Sequence, residues 1–247
     1  MKRIFDFLVS FIALIIFSPL LLTVIFLVWI NDFSNPFYIA ERVGKNESFF
    51  KMFKLRSMIV DADKSGVDST SNNDMRITRI GKFIRKFKMD ELSQLINVLI
   101  GDMSLVGPRP NVKRETDLYT KIEKKLLSVR PGITDISSIV FSDEGEILEN
   151  SEDPDLDYNQ LIRPGKGYLG LFYIEKRSFF LDIKLIFLTV LAIINKKLAL
   201  IYISKLLKKH NASDFLINIV ERKEKLVPSP PPGSKKIVTD RNGKVDH

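Results

Sequence analysis

The sequence predicts a helix-rich α/β fold with a small sheet, set behind one long apolar segment at the N-terminus. Three observations carry this reading. Residues 4–30 are almost wholly apolar. Leu92, Leu95, Ile96 and Leu99 recur at the i, i+3, i+4, i+7 spacing of one helical face. Residues 49–58, "FFKMFKLRSM", alternate apolar and basic side chains near period two, as a short strand does.

The N-terminal run would be roughly 40 Å long if wholly helical, which is membrane length. Ser18-Pro19 sits near its middle, where proline removes a backbone donor and clashes with the preceding turn, so a bend is expected. The Ser18 hydroxyl can satisfy a carbonyl that the proline frees. Lys2-Arg3 precedes the run, and Arg42, Lys45, Lys51, Lys54 and Arg56 follow it. Basic residues mark the cytoplasmic side, so both ends carry the same signal. Length alone favours a straight span and the flanks favour a re-entrant hairpin; both stay open on the residues alone. A cleaved signal peptide is disfavoured, because no small-x-small site closes the run.

Beyond it, residues 49–58 read as a strand with a basic polar face of Lys51, Lys54 and Arg56. Residues 61–76 are polar and aperiodic, a mobile loop. Residues 77–87 form a cationic amphipathic helix, with Ile80, Phe83, Ile84 and Phe87 on one face and Arg79, Lys82, Arg85 and Lys86 on another. A second helix runs from about Asp90 to Ile100 and stops at Gly101. In "VGPRP" two prolines clamp Arg109, so its guanidinium leaves a stiff platform. "VRPGIT" is a further turn, and "SDEGEILENSEDPDLD" reads as an acidic loop. Residues 178–195 are apolar but short for a span, suiting an interfacial or core helix. The tail is expected to lack structure from about residue 221; its "DRNGK" could turn, without evident flanking strands.

Composition narrows the chemistry. The 247 residues and 45% apolar content suffice for a packed core. With 38 Lys+Arg against 30 Asp+Glu, the net charge of +8 favours phosphate-bearing partners: nucleotides, nucleic acid or an anionic membrane. Cysteine is absent and only His210 and His247 occur, which leaves no disulfide framework, no thiolate metal site and little material for a histidine triad. Catalysis would have to run on carboxylates, basic residues or a metal held by oxygen.

The Asp90-Glu91 pair can be read as a helix start, since acids there complement the helix dipole by about 0.3–1 kcal/mol each. It can equally supply a nucleophile or metal ligand, kept ionised by the basic residues around it. The triplets at Asp61–Asp63 and Asp153–Asp157 have the Asp-x-Asp form of metal sites in nucleotide-sugar glycosyltransferases, a form common in acidic loops. No Walker A or G-x-G-x-x-G sequence occurs, and "GKGYLG" lacks the spacing and the preceding strand.

Taken in order, "KRIFDFLVSFIALIIFSPLLL", "FKMFKLRSM", "MDELSQLINVLIGDMSLVGPRP", "VRPGIT" and "SFFLDIKLIFLTVLAI" resemble the bacterial sugar transferases, the monotopic phosphoglycosyl transferases, over about residues 2–196. The resemblance implies a re-entrant membrane helix broken at Ser18-Pro19, which reverses the preference for a straight span. It implies interfacial amphipathic helices and one compact catalytic domain on the cytoplasmic face of the bacterial inner membrane. It also implies transfer of a phosphosugar from a nucleotide sugar, usually a UDP-sugar, to polyprenol phosphate, with release of UMP. Asp90 would form a covalent phosphosugar intermediate, and Glu91 would serve as Mg²⁺ ligand or base. Asp90 and Glu91 would be the metal-facing carboxylates. Arg109 matches the Pro-Arg-Pro arginine, and Arg85 and Lys54 are further candidate phosphate contacts.

The family commonly follows "RPGIT" with Gly and then Gln-Val-Asn-Gly-Arg. Here "DISSIVFSDEGEIL" follows, which leaves the recognised sugar and nucleotide open. On this reading residues 1–31 form the membrane helix, 32–205 the catalytic domain and 206–247 a C-terminal extension. Two rivals remain: a conventional nucleotide-sugar glycosyltransferase, and a non-enzymatic basic protein of membrane surfaces or nucleic acid. The apolar run argues against nucleic acid as a partner. The sugar, the glycan, the oligomeric state and the purpose of the Pro-rich tail stay open.

Overall fold

In the computed structural model the described residues are 1–65 and 74–240. The apolar run forms helix α1, Lys2–Asp32, with Pro19 inside an otherwise continuous helix rather than at a break. Proline cannot donate to the carbonyl four residues back, and that carbonyl, Ile15 O, accepts from Ser18 Oγ at 2.8 Å. The side-chain bond expected from the sequence thus offsets the lost donor, and helical structure persists.

One stripe of α1 faces the rest of the chain. Phe5, Val9, Ala13 and Leu14 pack on the main core, while Val24 and Val28 join Leu55 and Ile84 in a smaller one. Between these contacts Ile15, Ile16, Phe17 and Leu20 are exposed, Ile16 by 65%. Polar bonds fasten both ends. Lys2 Nζ lies 2.6 Å from Asp182 Oδ2, Arg3 donates to the Leu99 carbonyl at 2.8 Å, and Ser104 Oγ donates to Asp6 at 2.7 Å. At the other end Arg56 donates to Asp32 at 2.6 Å.

Strands β1, Phe37–Val43, and β2, Phe49–Leu55, form an antiparallel hairpin that pairs Tyr38 with Lys54, Ala40 with Met52 and Arg42 with Phe50. The expected basic outer face is corrected here. Side chains two apart share a face, so Lys54 lies with buried Phe50 and Met52, whereas Lys51 points to solvent with the opposite parity. Met52-Phe53 interrupts the alternation and makes this switch.

The cationic helix is α2, Arg79–Lys86, started by Thr78, whose hydroxyl accepts from Gly81 N at 2.9 Å. Ile84 is fully buried, and Phe83 and Phe87 are exposed. The next helix, α3, is shorter than expected: Gln94–Ile100, ending on Gly101 at φ 103°. Met89–Glu91 form a separate 3₁₀ turn after Lys88, whose φ of 52° breaks the helical path.

A second, parallel pair consists of β3, Ser104–Val106, and β4, Gly132–Thr134. Helix α4, Lys113–Thr116, and a 3₁₀ segment, Glu123–Ser128, lie between them. Then come α5 (Ile136–Val140), α6 (Glu144–Ile147), α7 (Pro154–Asp157) and, after a π-helical turn, α8 (Arg163–Lys176). Helices α9 (Phe179–Ile194), α10 (Lys196–Lys209) and α11 (Asp214–Glu221) follow.

The stretch read as an acidic loop therefore contains α6 and α7. Asp153 accepts from Leu156 N at 3.3 Å to cap α7, and Glu144 reaches Lys166 of α8. The boundary expected at 205/206 falls inside α10, and α8, α9, α10 and α11 all contribute to the main core.

Residues 222–240 follow an ordered path where none was expected. Ser229 N donates to Gln160 O at 3.0 Å, Gln160 Nε2 to Val238 O at 2.7 Å, and Thr120 Oγ1 to Pro232 O. Pro231, Pro232 and Val238 are buried. Proline-rich chain is already extended and has little backbone entropy to lose, so few contacts suffice to dock it. Most of the "DRNGK" turn and half of the 61–76 loop lie outside the described residues.

The two proline turns touch. Gly107 N donates to Thr134 O and Gly132 N to Pro108 O, both at 3.0 Å. A Cβ on Gly132 would sit 2.1 Å from Gly107 N, so the approach admits no side chain. Gly132→Ala should therefore destabilise the protein by about 1–3 kcal/mol through forced backbone displacement, read as a lower urea midpoint. A midpoint equal to wild type would show that the close approach is dispensable.

Candidate active site

The site is built on β2 and the chain that runs into α3. One edge of β2 pairs with β1, and the other is bonded by side chains from α3 and the turn before it. Phe53 N donates to Asn97 Oδ1 at 2.9 Å, Asn97 Nδ2 to Lys51 O at 2.7 Å and Ser93 Oγ to Phe53 O at 3.1 Å. Ser93 and Asn97 are four apart, so a helical turn presents both to the strand. Buried Asn97 satisfies strand groups that would otherwise lack partners.

This clasp sets Lys54 against the 3₁₀ turn, with Lys54 Nζ 2.9 Å from Asp90 Oδ2. Asp90 is only 4% exposed. The expectation that it sits in the first turn of α3 is corrected: it lies in the 3₁₀ turn before that helix, does not cap it, and turns into the ammonium. Next to it Glu91 Oε1 accepts from Arg109 at 2.8 Å. Arg109 is carried there by the "VGPRP" loop, which Gly132 holds from behind and which continues into a bond from Val43 N to Asn111 O at 2.9 Å.

Lys54, Arg85 and Arg109, the three basic residues singled out in the sequence, line one cleft of 530 Å³. Arg42, Arg114 and Lys166 share its wall. Sequence reading took Arg42 only as a flanking charge and did not find the other two. Arg42 could have been found from strand parity, since it shares a face with the partner of Lys54. Lys166 could not: it lies in "GKGYLG", inside α8, and only tertiary packing brings that helix to the cleft. Ser18 and Pro19 line no part of this cleft.

A second cleft of 640 Å³ adjoins the first, sharing Arg109, Asn111, Glu115, Tyr158 and Lys166. It is less cationic, because Arg163 is engaged by Glu123 at 2.9 Å and Asp135 and Asp155 also face it. Asp135, which stands in the segment that departs from the common family pattern, caps α5 by accepting from Ser138 N at 2.7 Å.

Charge distribution in the site follows from burial set against the basic wall. Burial opposes ionisation of Glu91, but the charges of Arg109, Lys88 and Lys54 outweigh it and hold its carboxyl down to about 2. Arg109 is correspondingly held in its charged form by Glu91. For Glu144 burial is likewise overcome, by Lys166, Arg109 and Arg85, and its carboxyl is lowered. Glu115 goes the other way: burial raises it against the pull of Lys166 and Arg42.

The Asp-x-Asp triplets do not enter the cleft chemistry as a metal pair. Asp61 is bound by Lys64 at 2.9 Å, and the side chain of Asp63 is outside the described set. Asp153 and Asp157 serve local bonds within the α7 region. Among the described residues no group of three or more acidic or histidine side chains forms a metal cage. Mg²⁺ rarely uses such a cage; it takes one or two carboxylates plus substrate phosphate oxygens and water. The adjacent carboxylates Asp90 and Glu91, beside a phosphate-sized basic wall, fit that donor set.

Because the carboxyl of Glu91 is depressed, the pair with Arg109 adds stability above the ordinary 4.5, and this is lost as pH falls through about 2. Carboxyl NMR should show Glu91 half-protonated near 2. In Arg109→Ala the largest charge opposing burial is gone, so the midpoint should rise by roughly 1 unit or more. An unchanged midpoint would mean that Arg109 does not set the charge of Glu91.

The sequence was also compared with known proteins. The bacterial sugar transferase family matches residues 1–196. A UDP-N-acetylgalactosamine-undecaprenyl-phosphate N-acetylgalactosaminephosphotransferase from Aeromonas hydrophila is 33% identical over 196 residues, covering 78% of this chain and 43% of its own. An undecaprenyl-phosphate glucose phosphotransferase from Komagataeibacter xylinus is 38% identical over 196 residues, covering 76% of this chain and 35% of its own. The exopolysaccharide production protein ExoY of Rhizobium meliloti is 33% identical over 207 residues, covering 78% of this chain and 84% of its own. The chain thus spans less than half the length of the first two relatives and most of the third. A family match over four-fifths of the residues places this chain in the bacterial sugar transferase family.

Proposed function

We propose that the chain transfers a phosphosugar from a UDP-sugar to polyprenol phosphate, releasing UMP and starting a lipid-linked surface glycan. The observation that carries this is the Asp90 carboxylate, held 2.9 Å from Lys54, which lines a cleft together with Arg85 and Arg109. A buried carboxylate beside an ammonium, next to a basic cleft, suits attack on a phosphate ester. The names of the relatives support an acceptor of the undecaprenyl phosphate kind.

In the first step an Asp90 oxygen forms a bond to the sugar-bearing phosphorus while the bond from that phosphorus to the bridging oxygen breaks. UMP departs with the electron pair. In the second step an oxygen of polyprenol phosphate attacks the same phosphorus and Asp90 is released as carboxylate. Two displacements at one residue spare two anionic substrates from having to meet directly. Lys54 offsets the charge of Asp90, which an incoming diphosphate would otherwise repel.

Arg109 is suited to two tasks. One amino group holds Glu91, and the remaining guanidinium donors are available for a phosphate. Arg85, with the cationic α2 behind it, adds a second phosphate contact. Mg²⁺, held by Glu91 with Asp90 beside it, would supply charge neutralisation on the diphosphate.

The proposed setting is the cytoplasmic face of the bacterial inner membrane, with α1 re-entrant. Support comes from the fastening of both ends of α1 to the same body, through Lys2–Asp182 and Asp32–Arg56, with exposed apolar residues between. A helix that left the membrane on the far side could not keep both contacts.

Purified protein in detergent, supplied with UDP-sugars, Mg²⁺ and undecaprenyl phosphate, should release UMP. Release of UDP would point instead to a conventional glycosyltransferase, and no turnover on any sugar to a binding protein. Asp90→Asn should abolish both turnover and the phosphosugar adduct seen by mass spectrometry of intact protein; near-normal rates would end its assignment as nucleophile. For topology, a cysteine placed at position 2 of this cysteine-free chain should react only with reagent on the cytoplasmic side.

A further inference from the structure

We propose that α10 is a charge-selective membrane contact, laying its exposed face on the phosphate layer of an anionic lipid surface. The helix begins where the family match ends, so this contact would belong to the chain beyond the shared region. One face of α10, with Ala199, Ile203, Leu206 and Leu207, is buried in the main core. The opposite face is exposed and sorted along the axis.

Its first half shows Leu198, Ile201 and Tyr202, and its second half Lys205 and Lys209, with Lys197 on the rim. Lys196 and Lys208 are engaged by Asp143 and Glu221. Among the described residues Lys197, Lys205 and Lys209 have no acidic partner. Lys205 Nζ lies 5.8 Å from the ring of Tyr202, an apolar stem with its charge at the edge.

In the preceding α9, Phe187, Val190 and Ile194 are also exposed at helical spacing, Phe187 by 70%. An apolar strip that ends in unpaired lysines matches the depth profile of a bilayer surface: side chains with acyl chains, ammonium groups with phosphate. A second copy fits less well, because two such faces would set lysine against lysine.

This inference rests on α1 being in the membrane, and the test separates the two. Full-length protein carrying a fluorophore on Ile201→Cys, or on Phe11→Cys in α1, is reconstituted into vesicles of phosphatidylcholine with or without phosphatidylglycerol. A lipid-borne quencher should reach the position 201 label in anionic vesicles. In the K197Q/K205Q/K209Q variant its quenching should fall by roughly two-fold or more, toward the level in neutral vesicles. These substitutions leave the buried face of α10 untouched, and unchanged far-UV dichroism checks the fold.

Quenching at 11 but not at 201 would overturn the role of α10 alone. Quenching at neither would overturn the membrane reading of α1 with it. Quenching at 201 that ignores lipid charge would remove the headgroup selectivity. Protection of 201 from an aqueous quencher that grows with protein concentration, without lipid-borne quenching, would assign the face to a second copy.

Discussion

The Lys54–Asp90 ion pair is the contact on which the site depends, and it exists because α3 completes a strand. Asn97 and Ser93 bond the free edge of β2, so the strand cannot slide relative to the turn that carries Asp90. A buried pair of this kind costs desolvation and returns little net stability, while loss of one partner costs about 3–5 kcal/mol. Its retention therefore reads as functional placement rather than as a stabilising device. The same arrangement brings the strand face with Lys54 to the cleft wall that Arg42 shares.

A second constraint comes from glycine. The contact between Gly107 and Gly132 joins the two proline turns, and the stiff chain that leaves it ends at Arg109. Rigid backbone on both sides matters because it fixes where Arg109 meets Glu91. Burial alone would favour a neutral Glu91; the basic wall reverses that sign. Electrostatics and packing thus act on one residue from opposite directions, and charge prevails.

Helix α1 is fastened to this scaffold at both ends. Between its fastened ends Ile15, Ile16, Phe17 and Leu20 are exposed apolar side chains. Bonds from Lys2, Arg3 and Asp6 reach β3, the end of α3 and Asp182 of α9. Helix α1 is consequently tied to the same elements that carry Arg109 and Asp90, and on the proposed function a lipid phosphate approaching along it would arrive beside them.

Much of this was legible in the sequence, and the reasons differ by element. Periodicity gave α2 and the body of α3, because a buried face repeats at the helical period whatever lies opposite, and the length of apolar runs gave α1 and α9. Ser18 next to Pro19 was enough to anticipate the bond to Ile15 O, a contact within one turn. The pattern "MDELSQL" through "VGPRP" named Asp90, Glu91 and Arg109 as residues of one site. What sequence could not supply was direction. It gave Lys54 to one polar face with Lys51, Asp90 to a helix start and residues 142–157 to a loop, and it left the C-terminal tail without structure. Each of these depends on a partner distant in the chain: Asn97 for the edge of β2, Lys54 for Asp90, Lys166 for Glu144, Gln160 and Thr120 for the tail. Local order follows from short-range sterics and burial pattern; the orientation of a charged side chain follows from its counter-charge, which only the tertiary fold brings within reach.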